Sequence, residues 1–173
     1  SGIICFSWSL EGARWFSKNL QNHKITKIYR GIVQGSLNHK ETWKDNIQKD
    51  YDSSKKFQTV KIQDDEESNA WTEVTPLAKG TYNGKEITYV EFDIKTGKTH
   101  QIRSQSAHHG YPLLGDSAYK ALKTDLSLEY FLHAWKIRFP ENNLGLPPQI
   151  ECPLPKDFSD FLLKTCDIKN FSL

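Results

Sequence analysis

The chain has 173 residues, of which 37% are hydrophobic, 12% aromatic and 25% charged, and 23 Lys plus Arg against 21 Asp plus Glu give a formal charge of +2. A chain of roughly this length buries about 70% of the surface its unfolded form exposes, so one domain with its own core is expected, and disordered, collagen-like, coiled-coil and low-complexity classes are excluded. The near-balanced charge neither requires nor forbids a nucleic-acid partner, because distribution matters more than the total. Cys5, Cys152 and Cys166 are odd in number, widely spaced and outside any CxxC arrangement, which argues against a disulfide framework and a structural zinc and for a reducing cytoplasm.

In chain order, Gly2 to Phe6 (GIICF) is a compact apolar run of the kind found in a buried strand, too short to span a bilayer and preceded by no basic segment, so neither signal peptide nor anchor is expected. Ser9 can cap a helix with Glu11 in its first turn and Ala13, Phe16 and Leu20 on one face. Ile25 to Gly35 reads as a strand, with Ile28, Arg30, Ile32 and Gln34 facing one way and Lys27, Tyr29, Gly31 and Val33 the other. From Ser36 to Asn69 the composition turns polar, with charge clusters at Lys44-Asp45, Lys55-Lys56 and Asp64 to Glu67 around a strand candidate at Phe57 to Ile62, and the stretch reads as an exposed, solvated excursion.

Thr72 to Lys79 and Glu86 to Ile94 are strand-like and flank Asn83-Gly84, a strong hairpin signal, with Val90, Phe92 and Ile94 alternating toward a core. Thr99 can cap a helix running to Gly110, a suitable C-terminal stop with Pro112 beyond. Phe131 to Phe139 is a further strand closed by Pro140, and Pro155 starts a helix with an apolar stripe of Phe158, Phe161 and Leu162. No internal repeat or linker divides the chain.

The densest group of special residues is Lys95 to Tyr119, KTGKTHQIRSQSAHHGYPLLGDSAY, where a strand ends at a glycine turn and a helix begins. Backbone N–H groups at that helix start, with Lys98 and His100 beside them, could receive a phosphate, and Arg103 lies one turn from His100 on the same face. An ordinary amphipathic helix with a solvated basic side accounts for the same spacing. Likewise Tyr29 is either a packing tyrosine or a ring placed for a ligand. His108-His109 is a poor metal pair, since adjacent helical residues point about 100° apart and the sequence joins no acidic or cysteine cluster to them, so no metal is expected.

GKTHQIR followed by GYPLLGDSAY resembles the signature of the RluA-type pseudouridine synthases, G-[RK]-T-H-Q-[IL]-R with G-x-P-x-x-G-D-x-x-Y downstream. Ser1-Gly2 resembles the tail of that family's R-L-D-x-x-T-S-G motif, KIYRGIVQG (Lys27 to Gly35) its K-x-Y-x-A-x-V-x-G strand, and Phe131 to Trp135 its late L-H-A strand. The likeness covers nearly the whole chain and loosens over Ser36 to Asn69. It implies an α+β fold, a mixed and mostly antiparallel sheet with packed helices, with residues 1–173 forming the C-terminal portion of one catalytic domain. It also implies isomerisation of uridine to pseudouridine in structured RNA, rRNA or tRNA, with no cofactor, on a base flipped out of its stack.

The resemblance assigns roles residue by residue. Tyr29 aligns with the tyrosine that packs against the target base and is implicated in proton transfer, Arg103 with the basic residue that pairs with the catalytic aspartate, and Leu132 with the apolar residue lining the base pocket. Lys98, His100 and Gln101 are the expected substrate contacts, the last two able instead to build the turn. Gly110, Gly115 and Asp116 read as turn formers. Gln105 stands where many relatives carry histidine, and Lys120 where a glycine commonly follows the tyrosine. Aligning Ser1-Gly2 with the motif's S-G puts the catalytic aspartate four residues before Ser1, so this chain alone is expected to be inactive. A cut or truncated product of a complete enzyme is favoured over a split enzyme completed by a separate peptide, or over a non-catalytic RNA-binding relative. A cytoplasmic monomer is expected.

Overall fold

The computed structural model describes residues 1–49, 60–63, 67–124 and 129–168. Seven strands form one sheet: β1 (Thr26–Gln34), β2 (Glu41–Lys49), β3 (Val60–Gln63), β4 (Ala70–Tyr82), β5 (Lys85–Ile94), β6 (Leu132–Arg138) and β7 (Gln149–Glu151). Their order is β3-β2-β4-β5-β1-β6-β7, and every ladder is antiparallel. Among the described residues three α-helices accompany them, α1 (Leu10–Gln21), α2 (Gln101–His108) and α3 (Lys156–Thr165), with one 3-10 turn at Ser117–Tyr119.

The β4–β5 hairpin turns at Asn83 (φ 49°) and Gly84 (φ 72°), the paired left-handed conformations that match the twist of the flanking strands. Alternation along β5 then divides the core. Ile87 and Tyr89 face one side, with Ile32, Phe131 and the α3 stripe of Phe158, Phe161 and Leu162. Val90, Phe92 and Ile94 face the other, with Val33, Trp43, Val74, Leu113 and Ile102 of α2. Each fully buried side chain of that α3 stripe contributes about 1.5–3 kcal/mol relative to exposure. α1 is capped as expected, Ser9 Oγ accepting from the Gly12 amide at 3.0 Å, and its Phe16 and Leu20 pack with Trp15 on Ile25, Ile137 and Phe139.

Three expectations are corrected. The Gly2 to Phe6 run is not a buried strand: Gly2 makes one bridge to Ala134, the Ile3 amide donates to the Ala134 carbonyl, and the chain then leaves the sheet with Ile4 73% and Phe6 80% exposed. Apolar composition signals a strand, yet burial needs a facing surface.

The excursion from Ser36 to Asn69 is not all solvated loop, because β2 and β3 extend the sheet there. Trp43, Asp45 and Ile47 are buried, and the Asn69 side chain binds both the Ile47 amide and the Asn46 side chain, so polar residues at this edge are internally satisfied. Of the strand candidate at Phe57 to Ile62, Val60 onward is strand; Phe57 to Thr59, Lys55-Lys56 and Asp64 to Glu66 lie outside the described residues.

The third correction concerns α2. It starts after His100, which takes the cap position in the left-handed region (φ 53°), rather than after Thr99. Its end follows expectation: Gly110 (φ 83°) donates to Ala107 O and Tyr111 to Ser106 O, the paired bonds that close a helix on glycine.

Candidate active site

The turn between β5 and α2 is built by side chains pointing inward. Thr96 Oγ1 accepts from the Trp71 amide and donates to Gln101 Oε1, which also accepts the Lys98 amide. Gln101 Nε2 donates to Trp71 O and Thr72 Oγ1. With all four of these bonds made inside the protein and the residue 3% exposed, the Gln101 side chain builds the turn, the other role its position allows. Lys98 stays exposed, while its amide is spent on this turn.

One turn along α2, Arg103 meets a carboxylate from this chain. Its Nε and Nη2 donate to the two oxygens of Asp116, each at 2.7 Å, in a two-pronged pair. Asp116 is 1% exposed and the Arg103 side chain 15%. The guanidinium also lies 4.5 Å from the Tyr130 ring centroid and 5.2 Å from that of Tyr119. Hydrogen bonding to Asp116 raises the Arg103 pKa further, so the cation is permanent. Asp116 is therefore more than the turn former the sequence suggests. The sequence offers Asp116 and Tyr119 together in GDSAY but gives no local signal that they meet Arg103.

The third nitrogen, Arg103 Nη1, lies 3.4 Å from His100 Nε2, and His100 Nδ1 lies 3.4 Å from the Tyr119 hydroxyl. Partial burial, then the Arg103 charge, lower the His100 pKa, opposed by Asp116, so the imidazole is neutral at pH 7. His100 thus belongs to the surroundings of Arg103, as its helical spacing suggested.

Tyr29 sits on β1 directly opposite Ala134 of β6, and Leu132 lies opposite Gly31. A Cβ on Gly31 would come within 3.0 Å of both the Phe131 carbonyl and the Phe92 ring, so glycine is what allows the strands and core to close beside Tyr29. Tyr29, Tyr130 and Leu132, each partly buried, pack against the single cluster that contains Ile102. Burial raises the Tyr29 pKa, with the nearby Cys5 thiol adding to the effect, so the phenol keeps its proton. Tyr29 and Leu132 thus pack against the cluster that contains Ile102, the residue before Arg103, and Tyr130, whose ring faces the guanidinium, packs against the same cluster. Tyr130, which the motif reading passed over, links them.

A second polar group lies along α2. Gln105, fully buried, accepts from Thr72 Oγ1 and donates to Asp45 Oδ2, each at 2.6 Å. Asp45 also lies 3.1 Å from His109 Nε2, and His109 stacks on Trp43 with ring centroids 4.8 Å apart. His108 reaches the same carboxylate at 3.9 Å, so the histidine pair does meet an acid that the linear sequence places far away. Among the described residues no group of three or more His, Cys, Asp or Glu side chains could hold a metal ion. Within the same residues no helix is long and apolar enough to cross a membrane.

The family model for RNA pseudouridylate synthase matches residues 1–108. RNA pseudouridylate synthase domain-containing protein 1 of Danio rerio is 29% identical over 153 residues, covering 83% of this chain and 50% of that protein. The tRNA pseudouridine synthase C of Vibrio cholerae is 29% identical over 154 residues (80% and 62%), and the ribosomal large subunit pseudouridine synthase D of Neisseria meningitidis 25% over 173 residues (94% and 44%). The chain thus spans about half the length of the curated relatives it matches. Among solved structures, human RNA pseudouridylate synthase domain containing 1 superposes with a TM-score of 0.73 at 22% identity, covering 96% of this chain and 69% of that one, a likeness of fold. On the match over residues 1–108 and the shared architecture, this chain belongs to the RNA pseudouridylate synthase family, in its RluA-type branch.

Proposed function

We propose that this chain forms the C-terminal portion of the catalytic domain of an enzyme that isomerises uridine to pseudouridine in structured rRNA or tRNA. The observation that supports the reading is that Tyr29, Leu132 and Tyr130, the ring that faces Arg103, pack against one cluster, Tyr29, Leu132 and Arg103 being the positions the motifs assign to base, pocket and carboxylate. Tyr29 offers an apolar ring face and a protonated hydroxyl, suited to packing on a flipped base and moving a proton. Leu132 lines the pocket. Lys98, exposed, and His100, beside Arg103, are the groups offered to the RNA backbone.

The nucleophilic aspartate comes from polypeptide ahead of Ser1. The Ser1 carbonyl accepts from the Ala134 amide and Ser1 Oγ lies 2.9 Å from His133 Nδ1, contacts that support an approach of that carboxylate along β6. Four extended residues reach at most about 14 Å. Arg103, held by Asp116 through two nitrogens, presents its remaining edge and its charge to that incoming carboxylate. In this reading the carboxylate acts on the ribose or the base of the flipped uridine: the N1–C1′ bond breaks, the base rotates, C5 bonds to C1′ as the carboxylate is released, and C5 gives up its proton while N1 takes one up.

The test is pseudouridine formation in unmodified tRNA and large-subunit rRNA transcripts by the intact gene product, with Arg103→Ala and Tyr29→Phe beside it. Product from the wild type and its loss in Arg103→Ala with the fold retained are expected. Wild-type rates in both variants would refute the site, and salt-sensitive RNA binding without product would identify a non-catalytic RNA-binding module instead.

A further inference from the structure

Next to the Arg103 group the surface opens into a groove of ≈ 430 Å³, lined by Val60 and Ile62 of β3, Ala107 of α2, and Ala118, Tyr119 and Lys120 of the turn that follows Asp116. That volume lies within the roughly 300–1,000 Å³ that holds a small ligand. Ser104 and His108 complete the α2 side of the groove beside Ala107. Tyr119 is the wall shared with the proposed active site: it lies 5.2 Å from the Arg103 guanidinium, its hydroxyl lies 3.4 Å from His100 Nδ1, and it lines the groove.

Lys120 is the second observation. It is exposed, and among the described residues its ammonium has no acidic partner. It also adopts φ 61°, a left-handed conformation that a side chain disfavours and that glycine, the residue commonly following this tyrosine in the resembling signature, adopts freely.

We propose that this groove is a subsite for the nucleotide adjacent to the flipped uridine, its base stacking against Tyr119 and its phosphate meeting Lys120. The assignment rests on the enzymatic reading above. It draws on what single-stranded RNA offers, a sequence-tolerant π face and a phosphate one nucleotide apart, matched here by an aromatic wall and a lone cation.

The experiment compares wild type, Lys120→Gly, Lys120→Arg and Ala107→Leu in the intact gene product, using fluorescein-labelled tRNA and large-subunit rRNA transcripts. Anisotropy at several salt concentrations gives affinity, and chromatography of digested nucleosides gives pseudouridine. Removal of one phosphate contact lowers the counterion-release slope by about 0.7–0.9, so the wild-type advantage over Lys120→Gly shrinks about threefold between roughly 50 and 200 mM salt. Lys120→Arg restores the slope, and Lys120→Gly does not lower the Tm, which separates lost contact from lost fold. Ala107→Leu, which fills the groove without changing charge, weakens binding and leaves the slope unchanged. Product from the wild type with Lys120→Gly and Ala107→Leu binding as it does overturns the subsite alone. A wild type that forms no pseudouridine in either RNA overturns the enzymatic reading and the subsite with it.

Discussion

Asp116→Asn replaces a carboxylate acceptor with an amide that turns N–H toward the N–H groups of Arg103, leaving a cation beside a mismatched partner. The native pair has two 2.7 Å bonds between a residue 1% exposed and a side chain 15% exposed. Removing one partner of a buried pair costs about 3–5 kcal/mol, whereas exposed pairs are worth about 0.2–1 kcal/mol. The Tyr130 ring at 4.5 Å and the partial exposure of Arg103 still stabilise the orphaned charge, which places the expected loss near the lower bound, about 3 kcal/mol. For a chain of this size that is a Tm decrease of roughly 6–12 °C. Thermal unfolding of Arg103→Ala, Asp116→Ala and the double variant gives the coupling directly, expected at about 2–3 kcal/mol. Pseudouridine formation by Asp116→Asn falls about a hundredfold as well, since a guanidinium displaced by an ångström no longer faces the incoming carboxylate. A coupling under about 0.5 kcal/mol with full activity would refute the assignment of Asp116 as the group that positions Arg103.

Tyr29→Phe keeps the packing on the Ile102 cluster, so stability changes by less than about 1 kcal/mol, while pseudouridine formation drops about 10²-fold if the phenol moves a proton; an unchanged rate reduces Tyr29 to a stacking surface. His133, 1% exposed, is bound by Ser1 Oγ and the Cys152 carbonyl, and burial lowers its pKa. The unfolded chain therefore takes up a proton that the folded chain resists, and stability falls as pH drops below about 6.5. His133→Gln flattens that part of a stability profile recorded by urea unfolding, and an unaltered slope would assign the acid sensitivity to His100 instead. A Cβ on Gly80 would lie 2.0 Å from the Thr165 carbonyl, where β4 meets the end of α3, so Gly80→Ala destabilises by about 1–3 kcal/mol, read as a lowered Tm.

Elements whose signals are local are legible along the chain. Asn83-Gly84 demands a hairpin turn, Ser9 caps α1, and the alternation through Phe92 and the stripe of Phe158 and Leu162 mark the faces that must be buried. The GKTHQIR and GDSAY motifs likewise announced a site at Lys95 to Tyr119, and the resemblance named Tyr29, Arg103 and Leu132. Tertiary structure decided whatever depends on residues distant in the chain. β2 looked solvated because its polar side chains find Gln105, His109 and Asn69 as partners only after the sheet is folded. Gln101 builds the turn because Trp71 and Thr72 take up its amide. Asp116 is 13 residues from Arg103, and only the turn after Gly115 brings its carboxylate against the guanidinium. Periodicity encodes which face is buried, but a hydrogen bond or ion pair depends on distance in space, and that distance is set when the layers close.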